Sequence, residues 1–235
     1  MPVGVMIDVL AVVLGGLAGS VAGNKLPEKL KIQMNTVLGL CAMCMGVNAV
    51  ALMRNVPAVV FSAIFGTLIG IALQIGVSIQ KVSSRLLSQA LKTADTEMND
   101  LMLTAVVLFC ASGTGIYGAL DAGMTGNHGI LLAKAVLDFF TAMIFACRLG
   151  KVTALIGIPQ GVVLLSTYLL ATCIIPLTTD VMIGDFKACG GCILIATGFR
   201  MMKMKDFPVA DMIPAMLLVM PVSYIWNTWL LPLLG

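Results

Sequence analysis

The sequence predicts an all-α, polytopic membrane protein: a helix bundle of seven or eight short transmembrane helices. Of the 235 residues, 60% are hydrophobic and only 11% are charged, and the mean hydropathy is +1.05. A soluble domain is about 45–50% apolar and about 25% charged. The apolar runs are continuous and close to the roughly 20 residues that cross a bilayer as a helix. They lack the alternation that marks the strands of a membrane barrel.

Eight apolar segments are candidates for these helices: about 4–23, 32–53, 57–79, 101–120, 129–147, 152–175, 185–202 and 208–230. The seventh segment is the weakest, because Asp185, Lys187 and Arg200 lie at its ends. Without it, seven spans would remain.

We expect residues 1–235 to form a single integral membrane domain with one long connection, at about 80–100. In this connection Val82, Leu86 and Ala90 recur every four residues, as on an amphipathic helix that lies on the cytoplasmic membrane surface. A solvated linker is the alternative, since the amphipathic pattern is weak.

The basic residues are distributed unevenly around these segments. Eleven of the fourteen Lys and Arg residues lie at the C-terminal end of the first, third, fifth and seventh segments or just after it: Lys25, Lys29, Lys31, Lys81, Arg85, Lys92, Arg148, Lys151, Arg200, Lys203 and Lys205. Because Lys and Arg accumulate in cytoplasmic loops, these four connections are predicted to be cytoplasmic. Both termini are then extracytoplasmic, which requires an even number of spans and favours eight.

Two opposite charges interrupt the fifth segment, GILLAKAVLDFFTAMIFA. Lys134 and Asp138 are four residues apart and therefore share a helix face, which Thr141 continues one turn later. A charge at the centre of a membrane helix costs about 2.5–3.5 kcal/mol and usually marks an ion or proton pathway. We predict that Asp138 binds a cation or proton and that Lys134 sets its charge state. The alternative is a structural ion pair that fixes helix packing.

A polar turn precedes this pair. Asp121, Thr125, Asn127 and His128 lie between the fourth and fifth segments. Carboxylate, hydroxyl and carbonyl oxygens suit a hard cation or a proton, so Asp121, Thr125 and Asn127 are predicted to form an outer vestibule. A structured turn, capped by Asp121 and Asn127, is the alternative. Asn48 in the second segment is predicted to line the far wall of the same cavity, or else to hydrogen-bond between helices.

Glycines in the first segment predict close helix contacts. Gly15, Gly19 and Gly23 form two consecutive G-x-x-x-G patterns, which allow helices to approach closely in lipid. Packing inside one subunit is the favoured interpretation, and a homo-oligomer contact is the alternative. A bundle of this size also fits a homodimer or higher oligomer.

The segments also predict inverted or pseudo-repeats. Residues 45–48 (MGVN) resemble residues 114–117 (TGIY) and 197–200 (TGFR), and a proline, Pro57 or Pro208, opens the segment after the first and the last of these. The two hairpins would run in opposite directions, as in many secondary transporters. Chance similarity between glycine-rich apolar segments is the competing explanation.

Metal, enzyme and nucleic-acid signals are weak. Two C-x-x-C motifs, at 41–44 and 189–192, and 17 methionines provide soft ligands that would select Cu(I). The motifs lie in helical runs, where Cys is also an ordinary buried residue, so copper transport is a minor alternative and no metal site or cofactor is predicted.

The chain has no G-x-S-x-G, H-E-x-x-H or P-loop motif, so it is not predicted to be an enzyme. It has no basic stripe that would bind nucleic acid.

Three segments resemble those of a known family: GALDAGMTGN…LLAKAVLDFFTAMIFACRLG, AVVLGGLAGSVAGNKLPEKLK and NVPAVVFSAIFGTLIG. Over nearly its whole length, the chain resembles the uncharacterised bacterial inner-membrane family of YqgA- and YdfK-like proteins. Six positions match the family's pattern: Asp121, Thr125, Gly126, Lys134, Asp138 and Thr141. Ala122, Asn127 and Phe139 depart from it. The resemblance implies a multi-pass protein of the bacterial inner membrane with a suspected transport role.

The leading functional hypothesis is therefore a small secondary transporter or channel for a small solute or ion. The competing hypothesis is a non-transporting membrane scaffold or stress-response protein, in which the Lys134–Asp138 pair is structural. Expected partners are the lipid bilayer, a small solute or cation, and further copies of the chain.

Overall fold

The computed structural model describes residues 1–22, 27–78, 81, 102, 105–106, 108–110 and 112–234. All regular structure in these residues is helical, which confirms the all-α prediction. The chain groups into two compact units. Unit 1 contains Met1–Val37 and Val77–Cys173, and unit 2 contains Leu38–Gly76 and Ile174–Gly235. The single integral domain stays a prediction, and the helix predicted at 80–100 lies outside the described residues apart from Lys81.

The main helices are α1 (Val3–Ala22), α2 (Glu28–Val50), α3 (Val56–Ala72), α4 (Gly113–Thr125), α5 (Gly129–Leu149), α6 (Gly157–Ile174), α7 (Asp180–Met201) and α8 (Ile213–Ile225). A helical turn at Val152–Leu155 precedes α6, and helical structure continues after α8 through Trp226–Leu230 and Leu231–Leu234.

Six helical stretches of the described chain are long and apolar enough to cross a membrane: Val3–Ala22, Ile32–Val50, Gly129–Leu149, Val152–Cys173, Asp180–Met201 and Ile213–Leu230. They match six of the eight predicted segments and confirm a polytopic helical bundle. The predicted third segment corresponds to the shorter α3, with 17 residues. The predicted fourth segment, 101–120, lies partly outside the described residues, so the number seven or eight stays a prediction.

Helix α7 begins earlier than the seventh predicted segment. Thr179 precedes it as the N-cap, and its Oγ1 accepts a hydrogen bond from the backbone N–H of Met182 at 3.4 Å. Asp185 and Lys187 therefore lie inside the helix, and their predicted position at its end was wrong. Hydropathy alone misplaced the boundary, because a charged residue inside a helix resembles the end of an apolar run.

In unit 1, helices α1 and α5 lie side by side and run in the same direction. A Cβ atom on Gly15 would collide with the carbonyl oxygen of Phe139, and one on Gly19 with that of Met143. The G-x-x-x-G pattern at 15–19 is thus used for packing inside the chain, as the favoured interpretation predicted. This close approach sets the distance between side chains that α1 and α5 direct toward each other.

In unit 2, two antiparallel helix pairs also meet at glycines. Helices α2 and α7 cross where Gly46 faces the carbonyl of Gly191, and each glycine would clash with the other's backbone if it carried a Cβ. Helix α3 approaches α8 at Gly66, which faces the backbone of Ala215. The predicted inverted repeat stays a prediction.

Candidate functional site

Lys134 is the sixth of the 21 residues of α5 and is 1% exposed. Its ammonium nitrogen donates a hydrogen bond to Asp8 Oδ2 at 3.1 Å and another to Asp138 Oδ2. Asp8 comes from α1, so the ion pair predicted within the fifth segment includes a second carboxylate from the first. The predicted pair of Lys134 and Asp138 is brought together.

Gln160 of α6 completes the group. Its side-chain nitrogen Nε2 donates to Asp8 Oδ2 at 2.9 Å and to Asp138 Oδ2 at 3.0 Å. Two donors, one from Lys134 and one from Gln160, therefore bridge the same two carboxylate oxygens in a closed ring. We call Asp8, Lys134, Asp138 and Gln160 the buried cluster.

Glycines make room for the buried cluster on neighbouring helices. A Cβ on Gly115 of α4 would lie 2.9 Å from Lys134 Cε, so this glycine accommodates the lysine side chain. Gly157 of α6 faces the side chain of Val13 and the carbonyl oxygen of Val9 in α1, which lets α6 approach α1 closely enough for the amide of Gln160 to reach Asp8.

In the buried cluster the positive and negative charges do not balance, and some hydrogen-bond acceptors lack donors. With every group ionised, two carboxylates face one ammonium, which leaves one negative charge in excess. In the described part of the chain, Asp8 Oδ1 and Gln160 Oε1 are buried acceptors without a hydrogen-bond donor. A buried polar atom left without a partner costs about 1–3 kcal/mol. The cluster therefore has room, in charge and in hydrogen bonding, for one more positive species.

The members differ in burial. Asp8 and Gln160 are 0% exposed. The side chain of Asp138 keeps 13% of its surface exposed, compared with 2% for that of Lys134. Asp138 is thus the carboxylate at the edge of the cluster, and Asp8 is the carboxylate in its interior.

The predicted vestibule residues form a capped turn. Asp121 and Thr125 belong to the last turns of α4, because that helix ends only at Gly126, which has a φ of 72°. Their predicted position in the turn itself was wrong. The Thr125 hydroxyl donates to the Asp121 carbonyl at 2.9 Å and lies 3.2 Å from Asp121 Oδ1, and Asn127 Oδ1 accepts from the Gly129 N–H at 2.9 Å. These bonds cap the end of α4 and the start of α5.

This turn is separated from the buried cluster along α5. Lys134 follows His128 by six residues, which corresponds to a rise of about 9 Å along a helix. Asp121 is buried, whereas Thr125 and Asn127 are exposed. The vestibule role of these residues stays a prediction.

Two further predicted site residues do not bond to the cluster. Thr141 is buried on the expected face of α5, but its hydroxyl donates to the Leu137 carbonyl of its own helix at 2.8 Å. Asn48 is exposed and belongs to unit 2, whereas the cluster belongs to unit 1. Its role as a lining residue stays a prediction.

Sequence reasoning missed Asp8 and Gln160. Asp8 is the one charged residue in the first apolar segment, so the argument applied to Lys134 and Asp138 could have identified it. Gln160 carries no charge and shares its segment with several Ser and Thr residues, so composition did not distinguish it.

A second buried carboxylate, Asp185 in unit 2, has a very different environment. It accepts hydrogen bonds from the backbone N–H groups of Arg54 (2.7 Å) and Asn55 (2.8 Å), from Asn55 Nδ2 (2.9 Å) and from the Ser223 hydroxyl (2.6 Å). Four donors thus satisfy this carboxylate, and it holds the backbone immediately before α3. Asp185 is a structural acid.

The soft-metal alternative stays a prediction. No group of three His, Cys, Asp or Glu side chains in that part of the chain is placed to hold a metal ion. Cys41 and Cys44 are exposed, while Cys189 is buried. The two C-x-x-C motifs therefore differ in environment.

Comparison with known proteins supports the resemblance found in the sequence. A family model described as "Protein of unknown function (DUF554)" matches residues 3–224. The chain is 42% identical to the uncharacterized protein YqgA of Escherichia coli (strain K12) over 233 residues, which cover 97% of this chain and 99% of that protein.

A more distant relative is named as a membrane protein. The chain is 21% identical to the uncharacterized membrane protein YdfK of Bacillus subtilis (strain 168) over 227 residues, 94% of this chain and 96% of the relative. No solved structure matches the chain significantly. The predicted family resemblance is confirmed, and the apolar helices agree with a multi-pass membrane protein. The chain belongs to the DUF554 family.

Proposed function

We propose that this protein is a small secondary transporter or channel of the bacterial inner membrane that moves a small cation or a proton. Its binding site is the buried cluster. The observation that carries the proposal is the imbalance of that cluster, in which two buried carboxylates share one ammonium and two acceptor oxygens lack donors. In this proposal the protein performs no covalent chemistry.

A purely structural role would need fewer acids. One carboxylate neutralises Lys134, and a second buried carboxylate adds a desolvation penalty of several kcal/mol without a second positive charge. Asp185 illustrates the structural solution in the same chain, since four donors surround one carboxylate. The contrast between Asp185 and Asp8 supports a binding role for the cluster.

The position of the cluster also suits transport. Its members come from three helices, α1, α5 and α6, and Asp138 is the tenth of the 21 residues of α5, a helix long enough to cross the membrane. A shift of one helix relative to the others would change the oxygens around a bound cation. Binding sites near the bilayer midplane are typical of secondary transporters.

We also propose, from the distribution of Lys and Arg, that both termini are extracytoplasmic.

The many exposed apolar side chains, such as Leu10, Leu14, Ile64 and Leu68, would contact lipid or further copies of the chain in a homo-oligomer.

The proposal is tested with purified protein in lipid vesicles. Gradients of H⁺, Na⁺ and K⁺ are imposed in turn, and entry is followed with a pH-sensitive dye or with ion-selective dyes. We expect a flux of at least one of these cations, reduced at least tenfold in Asp138→Asn. Thr141→Val is the matched control, because Thr141 shares the helix face but bonds to its own helix. It should retain the flux.

Two results would contradict the proposal. One is a wild-type flux in Asp138→Asn protein. The other is poor accumulation of Asp138→Asn combined with normal accumulation of the charge-swapped protein Lys134→Asp/Asp138→Lys. The second result would identify a structural ion pair and favour the scaffold hypothesis.

A further inference from the structure

We propose that the buried cluster holds one proton, on Asp8 Oδ1, and that this proton is donated in a hydrogen bond to Gln160 Oε1. The proton site is inferred from the hydrogen bonds and the two buried oxygens without donors in the cluster. Its use as the transported or coupling ion rests on the proposed function.

The hydrogen bonds of the cluster are distributed unevenly among its oxygen atoms. Four bonds run from Lys134 and Gln160 to the two carboxylates, and all four end on Asp8 Oδ2 and Asp138 Oδ2. None reaches Asp8 Oδ1 or Gln160 Oε1, and both of these buried oxygens lack a donor among the described residues. Two acceptors cannot satisfy each other unless one of them carries a hydrogen.

The Asp8 carboxyl and the Gln160 amide can form complementary hydrogen bonds. A protonated carboxyl has one donor and one acceptor side, and a primary amide has the complementary pair. The bond from Gln160 Nε2 to Asp8 Oδ2, at 2.9 Å, is one half of the cyclic arrangement that an acid and an amide form. A proton on Asp8 Oδ1 supplies the other half. One proton then satisfies both orphan oxygens.

A proton on Asp8 also balances the net charge of the buried cluster. A proton on Asp8 leaves Lys134 and Asp138 as a neutral pair, so the excess negative charge disappears. The groups that face Asp8 are Lys134 and Asp138 from α5 and Gln160 from α6. Gln160 contacts both acids, so a proton on either would neutralise the cluster, but in the described part of the chain only Asp8 has a buried carboxylate oxygen without a donor beside Gln160.

A metal ion fits the site less well than a proton. Hard cations such as Mg²⁺ and Ca²⁺ take about six to eight oxygen ligands. The cluster offers two orphan oxygens, and no three His, Cys, Asp or Glu side chains of the described chain form a metal-binding group. The proton belongs on Asp8 and not on Asp138, because Asp8 Oδ1 is buried without a donor among the described residues, whereas the side chain of Asp138 is partly exposed.

Infrared spectroscopy of the full chain in lipid at neutral pH tests the proton site. A protonated carboxyl has a C=O stretching band that a carboxylate lacks, and this band shifts in D₂O. We expect the band in the wild-type protein and its loss in Asp8→Asn. Asp185→Asn is the matched control, since Asp185 is equally buried but has four donors. In that variant the band should remain.

Gln160→Leu provides a second test in case Asp8→Asn does not accumulate. This substitution removes the amide partner, so the band should persist at a shifted frequency. Absence of the band from the wild-type protein, its persistence in Asp8→Asn, or an unshifted band in Gln160→Leu would overturn the inference.

The proton site and the transport function can fail separately. If the Asp8-dependent band is present but vesicles show no H⁺, Na⁺ or K⁺ flux, the proton site stands and the proposed function falls. If vesicles transport Na⁺ or K⁺ in an Asp138-dependent manner and the band is absent, the proposed function stands and the proton site falls.

Discussion

Lys134 and Gln160 donate hydrogen bonds to the same two oxygen atoms, one on Asp8 and one on Asp138. A cation and a neutral amide on different helices thus act as parallel bridges between two acids. Because the bridges are shared, removal of any one member changes the environment of the other three.

Removal of the ammonium should destabilise the protein strongly. Lys134→Met leaves the buried Asp138 carboxylate without its counter-charge and removes one donor from Asp8, and loss of one partner of a buried ion pair costs about 3–5 kcal/mol. The midpoint of thermal unfolding in detergent should fall clearly. Lys151→Met is the matched control, because Lys151 is exposed, and it should change little.

A double variant checks the cause of that loss. In Lys134→Met/Asp138→Asn, the remaining acid is Asp8, which is neutral if it holds a proton. The double variant should therefore be more stable than Lys134→Met alone, through a coupling between neighbours of about 0.5–3 kcal/mol. If the stability lost in the double variant equals the sum of the losses in Lys134→Met and Asp138→Asn, the two residues do not share a charge balance.

The close contact between α1 and α5 should not tolerate larger residues. In Gly19→Ala the new Cβ meets the carbonyl oxygen of Met143, a backbone atom that cannot rotate away. Overpacking of this kind costs about 1–3 kcal/mol, to be measured by thermal unfolding. Gly161→Ala is the control, because its Cβ would approach only the movable side chain of Val9, at 3.2 Å. Equal losses in both variants would contradict the prediction.

Asp185 should matter for stability and not for flux. Asp185→Ala leaves the N–H groups of Arg54 and Asn55 without their acceptor, and each buried unsatisfied group costs about 1–3 kcal/mol. Unfolding should occur at lower temperature, while the flux per folded molecule in vesicles should remain that of the wild type. Asp206→Ala should show no measurable loss, because Asp206 is exposed and pairs with Arg200 at the surface. A flux lost with Asp185 would assign that acid a role in transport.

Labelling of single cysteines should establish the orientation of α5. In a cysteine-free background, Asn127→Cys and Lys151→Cys place exposed thiols just outside the two ends of that helix. A membrane-impermeant maleimide added to whole cells should label Asn127→Cys, whereas Lys151→Cys should require permeabilised cells. The reverse pattern would overturn the orientation predicted from the basic residues.

The sequence by itself determined the membrane class, most of the helices and the pairing of Lys134 with Asp138. These features are local: the length of an apolar run measures its ability to cross a bilayer, and a four-residue spacing fixes a shared helix face wherever that helix packs. The resemblance that identified the family is likewise carried by contiguous segments.

Only the tertiary structure decided which partners join that pair. Asp8 lies 126 residues from Lys134, and Gln160 lies 152 residues from Asp8, so no spacing rule connects them. Their meeting depends on how closely α1 approaches α5 and α6, which glycine contacts between these helices permit. An amino-acid pattern records the periodicity of each helix, but the contact between helices that are distant in the chain arises only when their surfaces pack.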